Sequence, residues 1–106
     1  MTLENTALFG LPPEAIIKIQ AIFAQYADVT KVILYGSRAK GTFRSSSDID
    51  LCIEGEMLTL TQLLKIENEL DDLLLAWKID LSLKNKIDNA SLLEHISKYG
   101  VVFYQR

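Results

Sequence analysis

The sequence predicts an α/β (α+β) fold, a small mixed β-sheet with helices packed on it. Short apolar runs of strand length are separated by longer segments whose apolar residues recur at helical spacing. Glycine, proline and polar residues mark the boundaries between the two kinds of segment. The 106 residues have room for one hydrophobic core, so we expect a single domain over residues 1–106.

The first predicted elements are a helix, a strand and a short helical turn. Pro12 and Pro13 before Glu14 are typical of a helix start, and the helix should end before Asp28. Its apolar stripe consists of Ala15, Ile16, Ile19, Ile22, Phe23 and Tyr26. Residues 31–35 read KVILY and predict a strand, after which residues 37–42 should form one helical turn.

The rest of the chain is predicted to continue as strand, helix, strand, helix, strand. Residues 47–54 form the second strand, and Gly55 ends it. Residues 59–75 form the main helix, with Leu63, Ile66, Leu70, Leu73 and Leu74 as its apolar positions. Residues 77–83 alternate strictly between apolar and polar, as in a half-buried strand. A last helix runs from Asn89 or Ser91 to Tyr99, Gly100 ends it, and residues 101–104 form a closing strand.

The residues typical of a chemical site lie around the first two strands. Gly36 and Ser37 follow the first strand, where backbone amides and a hydroxyl can hold phosphate oxygens. Asp48 and Asp50 should point to one face of the second strand, about 6.6 Å apart along it. A divalent cation would relieve the repulsion between these carboxylates, and Mg²⁺ commonly bridges such oxygens to phosphates. This combination indicates phosphoryl or nucleotidyl transfer.

Charge and composition restrict the class of partner. The net charge is −3 and the pI is about 5.0, which argues against binding to long nucleic acids or to anionic membranes. A local basic cluster of Arg38, Lys40 and Arg44 fits a nucleoside triphosphate better. A hydrophobic content of 49% suggests that some apolar surface meets another protein.

The remaining features indicate an intracellular protein. Cys52 is the single cysteine, so no internal disulfide forms, and no spacing of cysteine and histidine suggests zinc. The N-terminus lacks the pattern of a signal peptide, and no apolar run is long enough to span a bilayer, so we expect a cytoplasmic protein. His95 has no companion residues and is expected to be a surface or hydrogen-bonded histidine without a site role.

The glycine-serine turn, the Asp48-Ile49-Asp50 motif and the later strand with Asp80 resemble the nucleotidyltransferase superfamily of the DNA polymerase beta type. Within it, the chain is most similar to the minimal nucleotidyltransferases (MNT), over almost its whole length. The resemblance implies that Asp48, Asp50 and Asp80 bind the metal and that Asp80 helps to activate the acceptor hydroxyl. It implies a nucleotide-binding set of Gly36, Ser37, Arg38, Lys40 and Arg44. It also implies Mg²⁺ as a pair of ions, with Mn²⁺ as an alternative, and ATP as substrate.

The resemblance also implies a protein partner. Minimal nucleotidyltransferases commonly pair with an all-helical HEPN protein in a hetero-oligomer and act as antitoxin to this ribonuclease toxin. Some transfer AMP from ATP to a tyrosine of the toxin, which is the function expected here. Two alternatives remain open: a nucleotidyltransferase subunit for a small acceptor such as an aminoglycoside, and an antitoxin that works by binding alone.

Overall fold

The computed structural model describes residues 8–106, in which four strands and four α-helices alternate. The strands are β1 (Lys31–Tyr35), β2 (Ile49–Glu54), β3 (Ile79–Leu83) and β4 (Val101–Gln105). The helices are α1 (Pro13–Ala24), α2 (Ser37–Lys40), α3 (Leu60–Asp71) and α4 (Ala90–Tyr99), and a 3₁₀ turn spans Lys84–Lys86. None of these helices is long and apolar enough to cross a bilayer. The expectation about a signal peptide concerns an N-terminus whose residues 1–7 lie outside the described range.

The four strands form one mixed sheet in the order β3-β2-β1-β4. β1 is antiparallel to both β2 and β4, whereas β2 and β3 are parallel. Tyr35, the last residue of β1, is paired with Asp50 of β2, and Asp50 is paired in turn with Asp80 of β3. The predicted small mixed sheet is confirmed, and its register brings the end of β1 next to two carboxylates.

Helices cover both faces of the sheet. α1 and α3 pack on one face, where the apolar residues of the strands form the main core with Phe23, Ile66 and Leu70. α4 lies on the other face, where Ile96 packs against Tyr35 and Cys52. The alternation of β2 decides which side chains go where, because Ile49, Leu51 and Ile53 fill the main core while Asp50 and Cys52 face α4.

Several predicted elements are too long, including the helical turn α2, which ends at Lys40 and not at residue 42. β2 begins at Ile49, so Asp48 lies in the loop just before the strand. α3 ends at Asp71, because the chain then turns back toward the sheet through Leu74, which has a φ of 54° and is 88% exposed. β3 begins at Ile79. Trp77 lies before the strand, and its indole Nε1–H donates a hydrogen bond to the carbonyl of Ser45 at 2.9 Å. In each case a turn or a side-chain contact ends a regular hydrophobic pattern.

The start of α3 is fixed by a capping box. The Thr59 hydroxyl accepts the Gln62 backbone N–H at 3.2 Å, and the Gln62 side chain accepts the Thr59 backbone N–H at 2.9 Å. Two backbone donors that a helix start leaves without partners are thus satisfied. The Gln62 amide also donates to Asp28 at 3.0 Å, which ties the start of α3 to the segment after α1.

We expect Thr59→Ala to lower the free energy of unfolding by about 1 kcal/mol, since the cap is lost. Thr61→Ala is the matched control, because Thr61 is an exposed threonine in the same helical turn and alanine is the better helix former. Urea denaturation of both variants measures the difference. Equal stabilities would show that the capping box does not stabilise α3.

Candidate active site

The predicted site residues converge at one end of the sheet. The chain leaves β1 at Tyr35 and turns at Gly36 and Ser37, while β2 and β3 enter from the neighbouring positions with Asp50 and Asp80. Because β1 is antiparallel to β2, the end of the one strand lies beside the beginning of the other. The glycine-serine turn and two carboxylates therefore meet at a single edge, as the motif predicted.

Gly36 allows the turn to approach the carboxylates closely. Its φ of 78° and ψ of −157° lie in a region that side chains disfavour. A Cβ atom at this position would also collide with Oδ2 of Asp50. Ser37 then begins α2, which is a single helical turn closed by the bond from the Lys40 N–H to the Gly36 carbonyl at 3.1 Å. Glycine suits this position because a side chain here would be strained by the backbone conformation and would collide with the Asp50 carboxylate.

Asp50 is the central carboxylate of the three. It is half-buried, and burial raises its pKa above the ordinary value of 3.8, with further raising by the charges of Asp80 and Asp48. The positive charge of Arg38 opposes this increase. Asp48 and Asp80 are both exposed, so their side chains can turn toward a bound cation. Excess negative charge around Asp50 is therefore the main electrostatic feature of this edge.

The three carboxylates offer oxygen atoms as ligands, but these atoms do not surround one point in the structure. Within residues 8–106, no three side chains of His, Cys, Asp or Glu are close enough together to hold a metal ion. The pKa of Asp50 nevertheless registers both other carboxylates, so the three charges interact. A set made only of carboxylates suits a hard divalent cation, and the rotation of two exposed side chains would complete it.

Arg38 has a different placement from the one expected of a phosphate ligand. It is 2% exposed and donates to the carbonyl groups of Phe9, Ser45 and Ser47, at 2.8 Å, 3.3 Å and 2.8 Å, with a further bond from Nε to Ser47 at 3.1 Å. Its guanidinium also lies 5.8 Å from the ring centre of Trp77. These contacts give Arg38 a structural role, and the prediction that it binds nucleotide has no support from them.

Hydrogen bonds from the buried Arg38 side chain thus hold the loop between α2 and β2. Arg44 in this loop is exposed, and its backbone N–H donates to the Ser47 hydroxyl at 2.8 Å. Lys40 is also exposed, with Nζ 5.0 Å above the ring of Tyr99. Lys40 and Arg44, which both follow the glycine-serine turn in the chain, are therefore open to solvent, as an anion site needs.

His95 is the residue whose placement the sequence did not reveal. Its Nε2 accepts the Gly36 backbone N–H at 3.1 Å, and its ring lies 5.3 Å from that of Tyr99. The two bonded residues are far apart in sequence, and α4 carries no motif that links it to the turn. The helical period places His95 and Tyr99 on one side of α4, which is the single sequence signal that pointed to a shared environment.

Comparisons with known proteins agree with this architecture. The family model "Polymerase beta, Nucleotidyltransferase" matches residues 17–106. A Methanocaldococcus jannaschii protein named "Putative protein adenylyltransferase" is 34% identical over 86 residues, covering 80% of this chain and 87% of that protein. A second protein of that name and organism is 37% identical over 71 residues, covering 66% of this chain and 71% of the relative.

Solved structures with the same fold come from toxin-antitoxin systems. One is a toxin-antitoxin structure with AMP-PNP, with a TM-score of 0.66 and 20% identity over 88% of this chain and 73% of that one. Another is the tri-AMPylated Shewanella oneidensis HEPN toxin in complex with its MNT antitoxin, with a TM-score of 0.65 and 16% identity over 88% of this chain and 71% of that one. At these identities the likeness establishes the fold, and the predicted DNA polymerase beta-like nucleotidyltransferase fold is confirmed.

We expect Arg38→Gln to lower the free energy of unfolding by about 2 to 4 kcal/mol, because several carbonyl groups lose a charged donor. Arg44→Gln is the matched control, since it removes the same charge from an exposed side chain of the same loop. Its effect should stay within about 0.5 kcal/mol. Chemical denaturation of both variants measures this, and equal losses would contradict the structural role of Arg38.

We expect Asp50→Asn to raise the melting temperature at pH 7 to 8 in metal-free buffer. A pKa that is higher in the folded state means that stability falls as pH rises from the unfolded value through the folded one. The advantage of the variant should therefore shrink as the pH falls through the raised folded-state pKa of Asp50 toward the unfolded value of about 3.9. Melting curves between pH 3 and pH 8 test this, with Asp88→Asn as an exposed control. A variant that melts below the wild type at pH 8 would disprove the electrostatic account.

Proposed function

The chain belongs to the polymerase beta nucleotidyltransferase family, and we propose that it transfers AMP from ATP to a tyrosine hydroxyl of a HEPN-type helical toxin. The observation that carries this proposal is the contact of the Gly36 turn with Asp50, in register with Asp80. The turn offers backbone donors for phosphates, and the carboxylates offer oxygen ligands on the same edge. Relatives named as protein adenylyltransferases support a protein as acceptor.

The partner is proposed from the fold. Structures of the same fold include an MNT antitoxin in complex with an AMPylated HEPN toxin, which supports a toxin of that class as acceptor. No second domain within residues 8–106 holds an acceptor over the carboxylates, because the described elements form one sheet with its helices. The acceptor surface would then come from the partner. We also propose that the reaction takes place in the cytoplasm, since it consumes ATP.

Mg²⁺ is proposed as the metal, held by Asp48, Asp50 and Asp80. The all-oxygen ligand set supports this assignment, as does the raised pKa of Asp50, which comes first from burial and then from the charges of Asp80 and Asp48. A divalent ion at these carboxylates would neutralise charge on the phosphates during transfer. Mn²⁺ prefers the same ligands and is expected to replace Mg²⁺.

The residues of this chain have distinct parts in the proposed transfer. Ser37 and the backbone amides at the start of α2 hold the β- and γ-phosphates, since the Gly36 N–H already donates to His95, and Lys40 and Arg44 add positive charge. Asp80 is exposed at the start of β3 and takes the proton of the tyrosine hydroxyl. The phenolic oxygen then forms a bond to the α-phosphorus while the bond to the β-phosphate oxygen breaks. Pyrophosphate leaves from the side of the turn.

Adenylylation would inactivate a ribonuclease partner by charge and bulk. The added AMP carries a negative phosphate, which repels RNA from the modified tyrosine. The same group fills space at the site and excludes the substrate sterically. Under this mechanism one catalyst can neutralise many toxin molecules, which binding alone cannot do.

We expect the co-purified helical partner to gain the mass of AMP when it is incubated with this protein, ATP and Mg²⁺. The double variant Asp48→Asn, Asp50→Asn should abolish the gain, whereas Asp71→Asn, Asp72→Asn should not, because those exposed aspartates lie at the end of α3. Asp80→Asn should slow turnover by about 10² to 10⁴-fold while ATP binding falls less. Mass spectrometry and a growth assay provide the readouts.

Two outcomes would replace this proposal. If the partner never gains AMP and the double variant still neutralises its toxicity, the protein acts by occlusion. Transfer of AMP to a small molecule such as an aminoglycoside, with the partner unmodified, would instead establish a small-molecule nucleotidyltransferase.

A further inference from the structure

We infer that His95 is a positioning residue for the nucleotide-binding turn, through the hydrogen bond that its Nε2 accepts from the Gly36 backbone N–H at 3.1 Å. The imidazole would hold the turn in the shape that receives the phosphates. The inference deepens the proposed function and rests on it, because it assumes that the glycine-serine turn binds a nucleotide. It adds a residue of α4 to a site built otherwise from the ends of three strands.

The Gly36 amide is in particular need of an acceptor. Regular pairing of β1 with β2 reaches Tyr35 and Asp50 and goes no further, so the next amide in the chain leaves the ladder. The backbone of Gly36 has a φ of 78° and a ψ of −157°, which lie outside the strand and helix regions. The Gly36 N–H therefore does not continue the hydrogen bonds of a strand or a helix. A partly buried amide without an acceptor is costly. His95 supplies the acceptor from the opposite end of the chain, 59 residues away.

The His95 ring is held by aromatic neighbours. Tyr35 meets it edge-on, with centroids 6.2 Å apart and planes at 79°, and Tyr99 lies at 5.3 Å on the same helix. Ile96, the next residue, is buried against the sheet and anchors α4. α4 contacts the glycine-serine turn through His95. It also contacts α2 through Tyr99, because Lys40 of α2 lies over the Tyr99 ring.

The direction of the hydrogen bond defines the chemistry of His95. An imidazole nitrogen that accepts a backbone N–H carries no proton, so the neutral ring has its proton on Nδ1. The lone pair of Nε2 is then engaged and does not serve as a base or as a metal ligand. His95 thus acts through Gly36 and does not itself touch the reacting atoms.

Two substitutions separate the hydrogen bond from the packing of the ring. His95→Phe keeps an aromatic ring beside Tyr35 and Tyr99 but has no acceptor, whereas His95→Gln loses the ring and has an amide oxygen that can replace Nε2. We expect His95→Phe to weaken binding of AMP-PNP with Mg²⁺ about threefold to tenfold, the effect of losing one neutral hydrogen bond. His95→Gln should stay within about twofold of the wild type. In transfer assays the KM for ATP should rise in the phenylalanine variant, with kcat nearly unchanged.

Calorimetry on the protein, with melting curves to confirm folding, tests this without any acceptor. A wild-type phenotype for His95→Phe would overturn the inference, because the acceptor would then not be needed. Equal losses in both variants would also overturn it, because restoring an acceptor at this position would then restore no binding. If the wild type binds AMP-PNP but modifies no partner, the proposed function fails while the role of His95 stands. The two failures are therefore distinguishable.

Nuclear magnetic resonance of the wild-type protein provides an independent test, even if a variant does not fold. Imidazole ¹⁵N shifts should show the proton on Nδ1 of His95, and the Gly36 amide should exchange slowly with solvent. A proton on Nε2 in the neutral ring, or a rapidly exchanging Gly36 amide, would overturn the inference.

Discussion

The register of three neighbouring strands is the constraint on which the rest of this structure depends. Tyr35, Asp50 and Asp80 lie side by side across β1, β2 and β3, so the turn after β1 meets both carboxylates. A slip of one residue in either pairing would turn a carboxylate into the main core. The large apolar residues of β2 therefore protect the site as well as the fold, because they hold Asp50 on the opposite face.

Arg38 resolves a second problem, which is how to build an irregular loop beside a buried core. Loop carbonyl groups need donors, and a single guanidinium supplies them to both ends of the segment that precedes Asp48. Burial lowers the pKa of Arg38, while the charges of Asp48 and Asp50 counteract this, so the arginine and the acidic site stabilise one another. Arg38 thus contributes to the stability of the loop and to the charge balance of the acidic site, although its side chain is buried.

Local patterns predicted most of the fold and selected Gly36, Asp50 and Asp80, which the register of the strands brings to one end of the sheet. β1 matched residue for residue, and α4 and β4 appeared where Asn89 and Gly100 indicated, because caps and alternation are encoded by neighbours in sequence. The end of α3 was missed since Leu73 and Leu74 continue the helical period although the chain has already turned. The roles of Arg38 and His95 could not be read from the sequence, because they depend on contacts with distant backbone groups.

The position of β4 sets when the site can exist during synthesis. β4 is paired with β1 alone at the edge of the sheet, and these two strands come from opposite ends of the described chain. β1 therefore gains its second neighbour only after residue 105 has been made, and the glycine-serine turn begins where β1 ends. Contacts between such distant segments form late, since a long loop must close first. A nascent chain would thus lack this support beside β1 until β4 has been synthesised.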